Sequence, residues 1–157
     1  MKKLGFLSKL KSEGKLELIE PSEEVKISYL EKSSNSLKAA NLLLKSGLLE
    51  ESVSMAYYAM YHSLLALMFK CGIKCENHTG NILLLKELFN ETKLHEIISN
   101  AKEERIDKQY YIDFEVTIND VESLIMKAQD FTIRIKVLMD SLTNDGIGEK
   151  RQKLKSL

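Results

Sequence analysis

The stretch Ser52–Lys70, SVSMAYYAMYHSLLALMFK, decides the fold. Its apolar residues fall on more than one side of a helix, and a helix apolar nearly all round sits in the middle of a bundle or at an oligomer interface. The helix starts near Glu50 or Glu51, and Gly72 ends it. On its N-terminal side Ser22 is a plausible N-cap, because its side-chain oxygen can accept from an orphan backbone N–H. Glu23 and Glu24 follow where the helix dipole favours negative charge. Tyr29, Leu30, Leu37, Ala40 and Leu44 then recur at helical spacing up to Gly47, which predicts a helix from about Ser22 to Ser46.

On the C-terminal side, Cys71 to Asn77 reads as a short loop and His78 to Phe89 as a third helix. A break is expected near Asn90. Thr92 caps a continuation to about Lys108 whose buried side holds Leu94, Ile97, Ile98 and Ala101. Residues Tyr110 to Val116 lose the helical period, and Tyr and Val favour extended backbone, so this segment reads as an ordered crossover loop. Thr117 and Asp120 have capping-box spacing, with Asp in place of the usual Glu or Gln. Val121, Leu124, Ile125, Ala128, Phe131, Ile135 and Leu138 hold the period from there. The expected class is all-α, with four principal helices and a broken third in an antiparallel bundle.

The bundle spans residues 22–142. Residues 1–21 form an N-terminal arm in which Leu4, Leu7 and Leu10 make one weak apolar stripe interrupted by Gly5 and Gly14. Two readings stay open for it: an interfacial helix whose Lys2, Lys3, Lys9 and Lys11 meet acidic lipid, or an arm packed on its own domain or on a partner. Residues 143–157 carry Lys150, Arg151, Lys153 and Lys155 and read as a mobile basic tail.

Composition agrees with one domain. Of 157 residues 44% are hydrophobic and 29% charged, with seven Gly, one Pro and two Cys, which excludes a disordered chain, a collagen-like chain and a disulfide scaffold. Lys+Arg and Asp+Glu both number 23, so no net field draws in nucleic acid or an acidic membrane, and such binding needs a local patch. Only Arg105, Arg134 and Arg151 offer the planar fork suited to phosphate; the other basic side chains are Lys. No run is long enough to span a membrane, and a cytoplasmic location is expected.

Few residues invite chemistry. Cys71, Cys75 and His78 have C-x3-C-x2-H spacing, yet structural zinc sites usually combine two short ligand pairs, so two reduced thiols and no metal are expected. His62 follows Tyr58 by one turn and can share its helix face. Its imidazole is either a general base or a core histidine with satisfied nitrogens. Tyr57, Tyr58, Tyr61, Tyr110 and Tyr111 concentrate phenols in a chain without Trp, either to stack on bases or to fill core and interface. P-loop, dinucleotide and H-E-x-x-H signatures are absent, and no cofactor is called for.

The segment Ser52–Phe89 resembles the signature region of the prokaryotic HEPN family. Its A-Y-Y-A-M-[FY]-H core is similar to Ala56–His62, its G-I loop to Gly72 and Ile73, and its K-x-x-H-like element is matched by His78. An Arg followed by a Tyr before the last helix is similar to Arg105 and Tyr110, and the last helix to Val121–Met139. The resemblance covers about Ser22 to Leu142. It implies an up-and-down bundle of four to five helices that forms homodimers and pairs with a minimal nucleotidyltransferase in a toxin–antitoxin-like system. Catalytic relatives are metal-independent RNases with an Arg followed four to six residues later by His. No arginine here is so placed, and Met55 stands where related members often carry Arg.

Two functions are therefore in view. The first is a non-catalytic or catalytically degenerate HEPN module that dimerises near Tyr57, Tyr61 and Leu65 and binds a nucleotidyltransferase partner or nucleotide. The second is a ribonuclease toxin in which His62 and Arg105 act on RNA. In both, His62, His78, Arg105 and Tyr110 line the nucleotide or RNA site.

Overall fold

The computed structural model describes residues 2–110 and 115–157, the side chains of residues 107–110 excepted. The elements run α1 (Lys2–Ser12), β1 (Leu16–Leu18), α2 (Glu23–Lys45), α3 (Leu49–Lys70), β2 (Ile73–Cys75), α4 (His78–Glu87), α5 (Thr92–Tyr110), α6 (Ile118–Ser141) and α7 (Asn144–Lys155). The all-α bundle expected from the sequence is present, with its third helix broken into α4 and α5. The break falls where it was expected, at Asn90, whose φ of 58° is a left-handed conformation that Asn tolerates better than most residues.

Local chemistry sets the principal boundaries. Ser22 caps α2, its hydroxyl accepting from Val25 N at 3.1 Å. Thr117 and Asp120 form a reciprocal capping box at the start of α6. The crossover loop expected over Tyr110 to Val116 lies mostly outside the described residues.

At the centre is α3, which packs against α2, α4, α5 and α6. Thirteen of its residues are buried, Ala56, Tyr57, Met60, Leu64 and Leu67 among them. From α6, one face delivers Val121, Leu124, Ala128, Phe131, Ile135 and Met139 into the same core. Tyr57 and Tyr61, expected near a dimer seam, are only 0% and 6% exposed within the single chain. They belong to its own core, because α3 is covered by four helices of the same molecule. Of that expected seam only Leu65 keeps partial exposure.

The N-terminal arm packs on its own domain, one of the two readings open for it, whereas the C-terminal segment departs from the mobile tail expected. The arm is the helix α1, which buries Leu7 and Leu10, followed by the strand β1. β1 pairs antiparallel with β2, Leu16 opposite Cys75 and Leu18 opposite Ile73, so the segment read as a loop after Cys71 contains a strand. The tail is the capped helix α7, with Leu154 1% exposed. Arg151 Nη1 donates to the carbonyls of Ile19, Cys71 and Gly72 at 2.8, 3.0 and 2.9 Å and pins α7 to the β ribbon. Gly72 has φ +67°, and a Cβ there would meet Arg151 Nη1 and Ile19 O. Only glycine fits at that crossing.

Phe131 is fully buried and Ile133, two residues on, is 59% exposed. Phe131→Ala is expected to cost about 3–5 kcal/mol in urea unfolding and Ile133→Ala within about 0.5 kcal/mol. Equal losses would mean that the buried face of α6 is assigned wrongly.

Candidate functional site

Residues one turn apart on α3 build two adjoining clusters. Tyr57 and Tyr61 point inward to His78, at the first position of α4. The Tyr57 hydroxyl lies 3.1 Å from His78 Nδ1, and the Tyr61 ring stacks on the imidazole at 3.9 Å between centroids. The start of α4 is fixed by Asn77, whose side chain caps Gly80 N at 2.8 Å. Asn81, one turn on, donates to the Tyr61 hydroxyl and the Cys75 carbonyl, each at 2.9 Å.

Burial keeps these groups uncharged. It drives the Tyr57 phenol far above its ordinary range, helped by the neighbouring Tyr61, and pushes Tyr61 up to about 12. It also lowers His78 below the usual imidazole value, with the Lys102 and Arg105 charges adding to the effect. With the phenol protonated and the imidazole neutral, a hydroxyl donating to Nδ1 leaves the ring proton on Nε2.

The second cluster is half-buried and faces outward. Phe69, Tyr29, His62 and Tyr58 form a continuous row of stacked rings, with successive centroids 5.3, 6.0 and 5.9 Å apart. The sequence reading that Tyr58 and His62 share a helix face is realised in the last of these contacts. A cation stands toward each end. Lys32 Nζ lies 5.0 Å from the Tyr29 centroid. The Arg105 guanidinium lies 5.2 Å from Tyr58 and 5.4 Å from Tyr57, so it bridges the two clusters. His62 is held below its ordinary pKa by burial first, then by Lys32 and His78, and its Nδ1 is buried with no partner among the described residues.

The structure thus brings His62, His78 and Arg105 together through tyrosine rings, and among the described residues no hydrogen bond joins them to one another. The Tyr110 side chain lies outside the described residues. Sequence reading missed Tyr29, Lys32 and Phe69. Tyr29 and Lys32 come from α2, and nothing in their local spacing announces a partner on α3. The thiols of Cys71 and Cys75 are buried and free, and burial pushes Cys71 up to about 11. No group of three or more His, Cys, Asp or Glu suited to a metal ion occurs among the described residues. No described helix is long and apolar enough to cross a membrane.

Comparison with known proteins adds three relatives and one family. The HEPN domain model matches residues 28–138. A Methanocaldococcus jannaschii protein named "Putative toxin MJ0605" is 30% identical over 118 residues, 73% of this chain and 87% of the relative. "Putative toxin MJ0142" of the same organism is 28% identical over 112 residues, 68% of this chain and 76% of the relative. The Pyrococcus horikoshii "UPF0332 protein PH1297" is 40% identical over 60 residues, 38% of this chain and 42% of the relative.

The lowered histidines have a pH signature. A folded-state pKa below the unfolded value of 6.5 means that the unfolded chain binds more protons in between. This contribution to stability is therefore complete above pH 6.5 and is lost as pH falls from 6.5 through the folded values. NMR titration of the imidazole protons should give midpoints below 6.5 for both His62 and His78. A midpoint above 6.5 for either would contradict the burial described for it.

Proposed function

Because this chain belongs to the HEPN domain family, we propose that it acts as a toxin-type HEPN module that holds a nucleotide or RNA on its row of rings without cleaving it. The reading rests on where the three arginines go. Arg134 Nε pairs with Asp130 at 3.0 Å, and Arg151 is engaged by three backbone carbonyls. Arg105 makes no hydrogen bond or ion pair among the described residues, and its Nε is buried without a partner. A guanidinium with no ion pair among the described residues, lying over tyrosine faces, suits a phosphate at the cation and bases stacked on the adjoining rings.

The geometry supports binding better than turnover. Cleaving a phosphodiester takes a positioned base and a donor aimed at the charge that develops on phosphorus. Among the described residues no hydrogen bond joins His62 to Arg105, and none orients the His62 ring. An Arg followed four to six residues later by His is also absent. One observation favours the second reading, a metal-independent ribonuclease toxin: burial keeps His62 neutral, the state a general base needs.

Partners follow from the same family membership. We assign a second copy of the chain and a minimal nucleotidyltransferase as its binding partners. Support for a protein contact has moved from α3 to α6, where Met126, Ile133 and Val137 share one helix face and are 68, 59 and 63% exposed.

Binding and cleavage are separated by one assay with a labelled short RNA and AMP in the presence of EDTA. The wild-type protein should bind RNA and leave it intact, and Arg105→Ala should weaken binding about tenfold or more. EDTA-resistant cleavage that His62→Ala abolishes would establish the ribonuclease reading instead. Failure to bind either ligand would end both.

A further inference from the structure

A second concavity borders α5, lined there by Ser99, Lys102, Glu103 and Ile106. A cleft of about 430 Å3 opens where α1 crosses α4 and α5. α1, which supplies Lys2, Lys3 and Phe6 to the cleft, lies outside the stretch matched by the family model, whereas the lining from α4 and α5 falls within it. α1 comes close to α4 at Gly80, where a Cβ would stand 2.8 Å from Leu10 Cδ1 and 2.7 Å from Cys75 Sγ.

The floor is apolar, made by Phe6, Ile82, Leu83 and Ile106. The rim is cationic. Lys2, Lys3 and Lys102 line it against one carboxylate, Glu103. His95 also lines the cleft, held below its ordinary pKa by burial and then by Lys3 and Lys86. Lys102 is half-buried, and its ammonium donates to Thr79 Oγ1 at 2.6 Å. An ammonium carries three donors, and no ion pair among the described residues uses this one. Among the described residues its remaining donors and its charge have no partner.

We infer that this cleft binds a small amphipathic anion, a single carboxylate head on an alkyl body, with the head at Lys102 and Lys3 and the chain on Phe6, Ile82 and Leu83. The volume lies within the range of small-molecule sites. A nucleotide fits less well. Its base and ribose edges carry several donors and acceptors that an apolar floor would leave unpaired, and each unpaired buried group opposes binding. An alkyl chain asks for no such partners and gains from every methylene taken out of water.

Decanoate, below its micelle-forming concentration, is the probe, followed by methyl NMR of the full chain with decanol and AMP as comparison ligands. Decanoate should produce saturable shifts at the Ile82 and Leu83 methyls. Decanol and the Lys102→Gln protein titrated with decanoate should each show about tenfold weaker binding. Ser99→Trp, which introduces a large ring on the cleft wall, should abolish the shifts while thermal melting reports that the chain still folds. Absence of saturable shifts, equal affinity for decanol, unchanged affinity in Lys102→Gln, or AMP binding in the cleft in place of decanoate would each overturn the assignment. RNA binding at Arg105 is read separately, so either site can fail alone.

Discussion

A helix with thirteen buried residues must meet most of its polar needs from within the protein, and α3 meets several of them through its neighbours. The Ser33 hydroxyl of α2 donates to the Ala59 carbonyl at 2.6 Å, and the Ser52 hydroxyl of α3 donates to the Ala40 carbonyl at 2.7 Å. Tyr57 and Tyr61 reach His78 and Asn81 on α4. Such bonds are worth more in a low-dielectric core than on a surface, and losing one partner strands the other. They fix α2 and α4 relative to α3. Tyr58 and His62, each one position further along α3, then emerge at the edge where Tyr29 and Arg105 meet them.

That arrangement explains why the candidate site is aromatic in frame and cationic at its ends. Rings stacked from α2 and α3 form a wall that desolvates His62, and the Arg105 guanidinium lies over one end of it. At the opposite end of the chain's construction, lysine ammoniums satisfy helix C-terminal carbonyls. Lys70 Nζ reaches Met139 O at 2.6 Å, and Lys11 Nζ reaches Leu154 O and Lys155 O at 3.1 and 2.8 Å. Two of the lysines thus hold helix ends.

What the sequence disclosed is what local chemistry governs. α2, α3 and α6 were legible because caps such as Ser22 and the Thr117–Asp120 box are short-range, and because six turns of apolar period leave little choice of face. The β ribbon was not. Leu16-Glu17-Leu18 and Ile73-Lys74-Cys75 do alternate, and Glu17 faces Lys74 across the pair, but three residues of alternation mean little until a distant partner is known. α7 was hidden for a related reason: it has one fully buried side chain, Leu154, and its anchor is an arginine that reaches carbonyls far away in sequence. Within the site, His62, His78 and Arg105 could be named from type and spacing. The inward direction of Tyr57 and Tyr61, and the contribution of Tyr29 and Lys32, depend on which helices cover α3, which spacing along one helix does not reveal.

The central proposal is that Arg105, the arginine with no hydrogen bond or ion pair among the described residues, takes the phosphate. Three arginines give three side-chain Nε–H resonances in a 15N-labelled sample, so each can be followed without crowding. On titration with a short RNA, the Arg105 resonance should move and saturate. Those of Arg134, paired with Asp130, and Arg151, held by three carbonyls, should stay where they are. A spectrum in which Arg134 or Arg151 shifts while Arg105 does not would contradict the account.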